Sequence, residues 1–133
     1  MRDKKILITG GLGFIGSALI RHLIQKTSVQ VINFDAIKYA ANPDSVKSVS
    51  DSNRYQFIKG DICDEHLFLT TLNKYKPDGV IHLAAESHVD NSIKNPLDFA
   101  QTNVIGTLNL LEAARNQWSD NYLDKRFYHI STD

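Results

Sequence analysis

Lys5-Ile6-Leu7-Ile8-Thr9-Gly10-Gly11-Leu12-Gly13-Phe14-Ile15-Gly16 decides the fold of this chain. Four residues with a β-like apolar character run directly into a loop dense in glycine. Glycine tolerates a tight strand-to-helix turn and, lacking a Cβ, lets backbone come close to a bound anion. A helix that starts there offers unpaired N–H groups and the positive end of its dipole. Gly11, Gly13 and Gly16 fit G-x-G-x-x-G, and Gly10, Gly13 and Gly16 fit the related G-x-x-G-x-x-G. The pattern alone is also compatible with a plain strand–helix turn, so its surroundings matter.

Those surroundings complete a βαβ unit. After the loop, Ile15, Ala18, Leu19, His22 and Leu23 recur at helical spacing and predict one apolar face. A second apolar strand, Val29 to Phe34, ends in Asp35. An acid in that position accepts hydrogen bonds from the adenosine ribose hydroxyls and repels a 2′-phosphate, which favours NAD over NADP. Lys38 is the opposing feature, a cation within sequence reach of a 2′-phosphate.

The 133 residues suffice for one domain but are few for an enzyme that must hold both a dinucleotide and a substrate. Fifteen basic and fifteen acidic residues cancel, so no global field attracts nucleic acid or an anionic membrane. No apolar run approaches the ~20 residues that cross a bilayer. The first strand begins within a few residues of Met1, and a cytoplasmic protein is expected. The lone Cys63 excludes an internal disulfide and suits a small, buried or half-buried side chain. The five histidines lack metal-like pairing, and no metal site is expected.

Strands are predicted at about 4–9, 29–35, 55–59, 78–84 and 126–131, and helices at about 14–26, 64–75 and 96–117. Asp64 suits an N-cap and Pro96 a first helical turn. The polar stretch from Ala36 to Asn53 reads as a loop with a short helix. This alternation predicts a Rossmann-type α/β fold, a doubly wound parallel sheet in the order 3-2-1-4-5. His82 and His129 are expected in the core, His22 on the packed face of the first helix, and His66 in solvent. In the last helix, Val104, Leu108 and Leu111 are expected toward the sheet and Leu110 and Ala114 away from it.

The ordered motifs T-G-G-L-G-F-I-G (Thr9–Gly16), G-D-I (Gly60–Ile62), L-A-A-E-S-H-V-D (Leu83–Asp90), T-N-V-I-G-T (Thr102–Thr107) and H-I-S-T-D (His129–Asp133) carry a specific resemblance. The chain resembles the amino-terminal part of the extended short-chain dehydrogenase/reductases, and within them the dTDP-glucose 4,6-dehydratase family. The nucleotide-sugar epimerases share the glycine loop and L-A-A. The S-T-D ending favours the dehydratases.

The resemblance implies a set of roles. Gly10, Gly13, Phe14, Ile15 and Gly16 would meet the NAD pyrophosphate. Asp35 would hold the ribose, with Ala36, Ile37 and Lys38 beside it. Ala36 stands where the family usually has lysine, which removes one adenosine-side contact. Asp61 and Ile62 would line the adenine pocket, and Leu83, Ala84, Ala85, Glu86 and Ser87 would pass beside the cofactor with Thr102. Ser87 and Thr132 would contact the sugar, and Asp133 would be the acid that protonates the departing C6 hydroxyl. His88 is a weaker ligand candidate.

The implied reaction is a redox-neutral lyase step on dTDP-glucose, giving dTDP-4-dehydro-6-deoxyglucose, in a homodimer. It needs a tyrosine–lysine pair and an Asp–Glu pair. The chain stops at Asp133, where the family continues with the glutamate, so a partial NAD-binding domain without a substrate-binding region, inactive alone, is expected. Tyr55 and Lys59 match the Tyr-x-x-x-Lys spacing but fall in a predicted strand, where positions four apart are ~13 Å from each other. A non-catalytic NAD-binding module is the alternative from another class.

Overall fold

Alternate residues of one strand point to opposite sides of a sheet, and here both sides are apolar. The computed structural model describes residues 4–38, 41–84, 96–119 and 121–130. Among them β1 (Lys5–Thr9), β2 (Gln30–Asp35), β3 (Tyr55–Lys59), β4 (Gly79–His82) and β5 (Arg126–His129) form one sheet in the order β3-β2-β1-β4-β5. Every pairing is parallel, with Leu7 opposite Ile32 on one side and Val80 on the other. The order matches the sequence expectation, and its reversal beside β1 opens a crevice at the carboxyl ends of β1 and β4.

One sheet face packs Leu7, Phe34 and Val80 against Phe68 and Leu72 of α2 (Glu65–Tyr75) and against Leu110 further along the chain. The other packs Ile8 and Val31 against Ile20 and Ile24 of α1 (Phe14–Lys26). Asp64 caps α2 as expected, its side chain accepting from Leu67 N at 3.1 Å. A single 3₁₀ turn at Pro43–Val46 occupies the polar segment after β2. Trp118 joins the core on the α2 side of the sheet, donating from Nε1 to Pro77 O at 3.2 Å.

Four expectations are corrected. In α1 the buried residues are Gly16, Ser17, Ile20 and Ile24, whereas Ile15 and His22 are exposed. The glycine loop sets this rotation: Gly16 lies against the Gly10 carbonyl, and Ile20 and Ile24 follow it at four-residue steps. The last helical run begins at Pro96 as expected but is not one α-helix. It consists of α3 (Pro96–Ala100), a π-helical segment (Gln101–Gly106) and α4 (Thr107–Gln117).

Its apolar faces are the reverse of the expected ones. Leu110, Ala113 and Ala114 are buried, while Val104, Leu108 and Leu111 are exposed. Gly106 rests on the Ile62 side chain, and Leu110, Ala113 and Ala114 continue that face at spacings of four, seven and eight. His129, expected in the core, is exposed on β5 at the edge of the sheet, where its ring stacks on His82 with centroids 5.3 Å apart. His66 is exposed and Cys63 half-buried, as anticipated.

Candidate functional site

The glycine loop leaves β1 through Gly10, whose φ of +72° suits glycine, and whose Cβ would stand 2.7 Å from Ala84 N. A Cβ on Gly16 would collide with the Gly10 carbonyl, so loop and helix meet at backbone contact. Gly13 differs: the nearest atom to a Cβ there is Gly10 O at 3.4 Å. Gly13 is the N-cap of α1, and no side chain caps it. The first N–H groups of a helix have no intrahelical partner, so this turn presents donors to an incoming anion. Phe14 and Ile15 stand exposed beside it.

A pocket of about 110 Å³ lies against this loop at the carboxyl ends of the strands. Gly10, Gly13, Asp35, Ala36, Lys38, Asp61, Ile62, Leu83, Ala84 and Thr102 from the sequence reading all line it. The pocket also uses Phe34 and Ala41, which the sequence reading missed, and Gly60, which it quoted in the G-D-I motif without a role. Phe34 directly precedes Asp35, but Ala41 carries no chemical signature. Ala85, Glu86, Ser87, His88, Thr132 and Asp133 lie outside the described residues.

Asp35 is buried, and its carboxylate holds two backbone segments. Oδ2 accepts from Leu12 N in the glycine loop at 2.9 Å, and Oδ1 accepts from Ile37 N at 2.7 Å. Each oxygen has a further lone pair for a ligand hydroxyl. Ile37 takes a φ of +57°, an uncommon conformation for a β-branched residue, at the lip of the site. Its bond to Asp35 helps to hold it there.

Lys38, weighed in the sequence as a 2′-phosphate partner, is engaged across the pocket. Its ammonium lies 3.6 Å from Asp61 Oδ2 and donates to Thr102 Oγ1 at 3.4 Å. Asp61 Oδ1 accepts from Cys63 N at 2.9 Å, and Asn109 donates to the carbonyls of Ile62 and Cys63 at 3.3 Å. Burial, with the Asp61 carboxylate next in effect, pushes the Cys63 thiol pKa up, so it is no activated nucleophile.

Tyr55 and Lys59 lie in β3, which removes the helical geometry that a Tyr-x-x-x-Lys relay needs. Burial pushes the Tyr55 pKa up, and its hydroxyl accepts from Asn33 Nδ2 at 3.1 Å. It is a core phenol. Among the described residues no cluster of three metal-ligating side chains occurs. No helix among them is long and apolar enough to cross a membrane.

The residues present therefore fit a dinucleotide: an open helix N-terminus, glycine where backbone must be approached, and an acid at the end of β2. The family model for GDP-mannose 4,6 dehydratase matches residues 7–133. The chain belongs to that family. It is 53% identical over 133 residues to dTDP-glucose 4,6-dehydratase of Salmonella typhimurium, covering 97% of this chain and 37% of the relative. The chain thus spans little more than a third of that relative's length.

Two solved structures place the fold among nucleotide-sugar enzymes. dTDP-glucose 4,6-dehydratase from Bacillus anthracis in complex with NAD superposes with a TM-score of 0.81 at 34% identity, covering 97% of this chain and 37% of that one. UDP-glucose 4-epimerase from Thermotoga maritima with UDP-glucose gives 0.82 at 33% identity, covering 96% and 38%. The backbone is shared across both activities. The higher sequence identity, 53%, falls on a dehydratase.

Proposed function

We propose that residues 1–133 are the NAD-binding part of a nucleotide-sugar 4,6-dehydratase, a cytoplasmic homodimeric lyase that converts dTDP-glucose to dTDP-4-dehydro-6-deoxyglucose. The observation that carries the reading is the Asp35 carboxylate, buried at the end of β2 and tied to the glycine loop at Leu12 N. Gly10, Gly13 and the start of α1, with Phe14, Ile15 and Gly16, receive the pyrophosphate. Asp35 takes the ribose hydroxyls, with Ala36 and Ile37 beside it. Asp61, Ile62, Lys38 and Thr102 enclose the adenine side, and Leu83 to Ser87 run along the cofactor. Engagement of Lys38 by Asp61 and Thr102 supports NAD over NADP.

When bound, NAD supplies a reversible hydride acceptor, so the dehydration is redox-neutral overall. Of the groups the reaction needs, this chain contributes Ser87 and Thr132 to hold the sugar and Asp133 to protonate the departing C6 hydroxyl. The 133 residues carry no Tyr-x-x-x-Lys outside β3, so they do not complete the reaction alone. The dehydratase is preferred to an epimerase on the S-T-D ending and on the identity to a dehydratase. The exposed row of Leu97, Val104, Leu108 and Leu111 supports a second copy as partner.

Two measurements test the reading. Calorimetry on this chain should show NAD binding, and binding more tightly than NADP. A chimera of residues 1–133 with the remainder of the Salmonella typhimurium enzyme should release the 4-keto-6-deoxy product from dTDP-glucose. A folded chimera that instead interconverts C4 epimers would establish the epimerase reading, and absence of NAD binding would defeat both.

A further inference from the structure

His82 is buried at the end of β4, outside the residues that line the pocket, yet both of its ring nitrogens are engaged. Nδ1 lies 2.6 Å from Thr9 Oγ1, and Nε2 lies 2.9 Å from Thr107 Oγ1. The hydroxyls fix the direction of both bonds. Thr9 Oγ1 already accepts from Ala84 N at 3.2 Å and from the Leu83 N–H at 3.1 Å, which it shares with the Thr9 carbonyl. Its lone pairs are used, so its proton goes to Nδ1. Thr107 Oγ1 donates to Asn103 O at 2.9 Å, so it accepts from Nε2. One protonation state satisfies every member: neutral imidazole with the proton on Nε2.

The chain of bonds thus has a single direction, from the amides of Leu83 and Ala84 through Thr9, His82 and Thr107 to the carbonyl of Asn103. Its two ends adjoin different lining segments of the pocket. Leu83 and Ala84 are one wall, and Asn103 adjoins Thr102 in the π segment, which is another. A π segment inside a helical run is a strained arrangement often found beside functional sites, and Thr107 anchors its end.

We propose that His82, as the neutral Nε2–H tautomer, is a positioning residue for the cofactor pocket, holding Leu83–Ala84 and the Thr102-bearing π segment in fixed relation through Thr9 and Thr107. The inference rests on reading the pocket as the dinucleotide site. It goes beyond that reading in assigning the residue, its tautomer and the path by which it acts. Burial of the ring, with the nearby His129 next in effect, lowers its pKa to about 4, which agrees with a neutral imidazole.

The test has two arms. Nitrogen-15 spectra of the unsubstituted 133-residue chain should show His82 protonated at Nε2 and bare at Nδ1 at neutral pH. The opposite tautomer, or an imidazolium, overturns the proposal without any variant. In the second arm, Thr107→Val removes the acceptor for Nε2 at constant shape, and Thr107→Ser retains it. Thr107→Val should weaken NAD binding about tenfold, the size of one buried hydrogen bond, while Thr107→Ser stays within about twofold. A Thr107→Val protein that is less stable yet binds NAD normally would show a structural role only and overturn the proposal. If the unsubstituted chain shows the tautomer but binds no NAD, the reading of the pocket fails and the positioning role falls with it, whereas the wrong tautomer with intact NAD binding sinks the positioning role alone.

Discussion

Asp35 Oδ2 accepts a hydrogen bond from Leu12 N at 2.9 Å, joining the end of β2 to the glycine loop 23 residues earlier. The acid that would choose the cofactor also shapes the loop that would bind its phosphates. Selectivity and loop order would therefore be coupled in one side chain.

Asp35→Ala should for that reason do two things at once. Loss of the negative charge removes repulsion of a 2′-phosphate, so the preference for NAD over NADP should narrow. Loss of both acceptors leaves Leu12 N and Ile37 N without partners, so NAD affinity should fall about tenfold or more. Calorimetry with both nucleotides reads the two effects separately. Equal affinities in the unsubstituted chain would remove Asp35 from the selectivity role.

Tyr55→Phe tests whether the apparent Tyr-x-x-x-Lys match is structural. The substitution leaves the Asn33 Nδ2 group without its hydrogen bond in a buried setting where Asn33 Oδ1 already has no protein partner. Stability should drop by about 1–3 kcal/mol in urea denaturation, the cost of a stranded polar group. NAD affinity should stay the same, because Tyr55 faces the α1 side of the sheet with Ile20 and Ile24. A loss of NAD affinity without a loss of stability would reverse this assignment.

Acid should destabilise the fold partly through His82. Its folded pKa of about 4 lies below the 6.5 of an unperturbed histidine, so the folded state takes up this proton later than the unfolded state does. The resulting stabilisation is complete above pH 6.5 and is lost as the pH falls toward about 4. At ~1.4 kcal/mol per unit, it amounts to at most about 3.5 kcal/mol. His129, stacked on the ring, also disfavours the charged form of His82. The urea midpoint of the unsubstituted chain should therefore fall more steeply between pH 6.5 and 4 than that of His82→Gln. Parallel slopes would mean that His82 titrates normally.

The glycine loop, Asp35, the G-D-I turn and the sheet order were legible because each depends on local chemistry or on the alternation of strand and helix. The His82 hydrogen-bond chain was not, because it joins residues 9, 82 and 107 from three separate elements. Helix rotation failed for a related reason. In α1 and α4 apolar residues occur on more than one face, and the buried face is chosen by Gly16 against Gly10 and Gly106 against Ile62. Small residues that permit close approach outweigh larger ones that merely recur at the right spacing. The π segment hid behind the same ambiguity, since six residues of i→i+5 winding leave an apolar pattern that still resembles an α-helix.

The last helix provides a decisive contrast between neighbours. Leu110 is fully buried among Leu7, Phe34 and Phe68, whereas Leu108 is 51% exposed. Leu110→Ala deletes a fully buried core side chain and should cost about 2–5 kcal/mol. Leu108→Ala trims a half-exposed side chain and should cost no more than about 1 kcal/mol. Urea denaturation of the two variants at low protein concentration separates them, and the opposite ranking would restore the orientation expected from periodicity alone. Leu108→Lys extends the argument from stability to association. If the exposed row is covered by a second copy, the charge should weaken self-association in sedimentation velocity while leaving the monomer's urea midpoint in place. A chain that remains monomeric at every concentration, with Leu108 or with Lys in its place, would mean that a second copy does not cover this face.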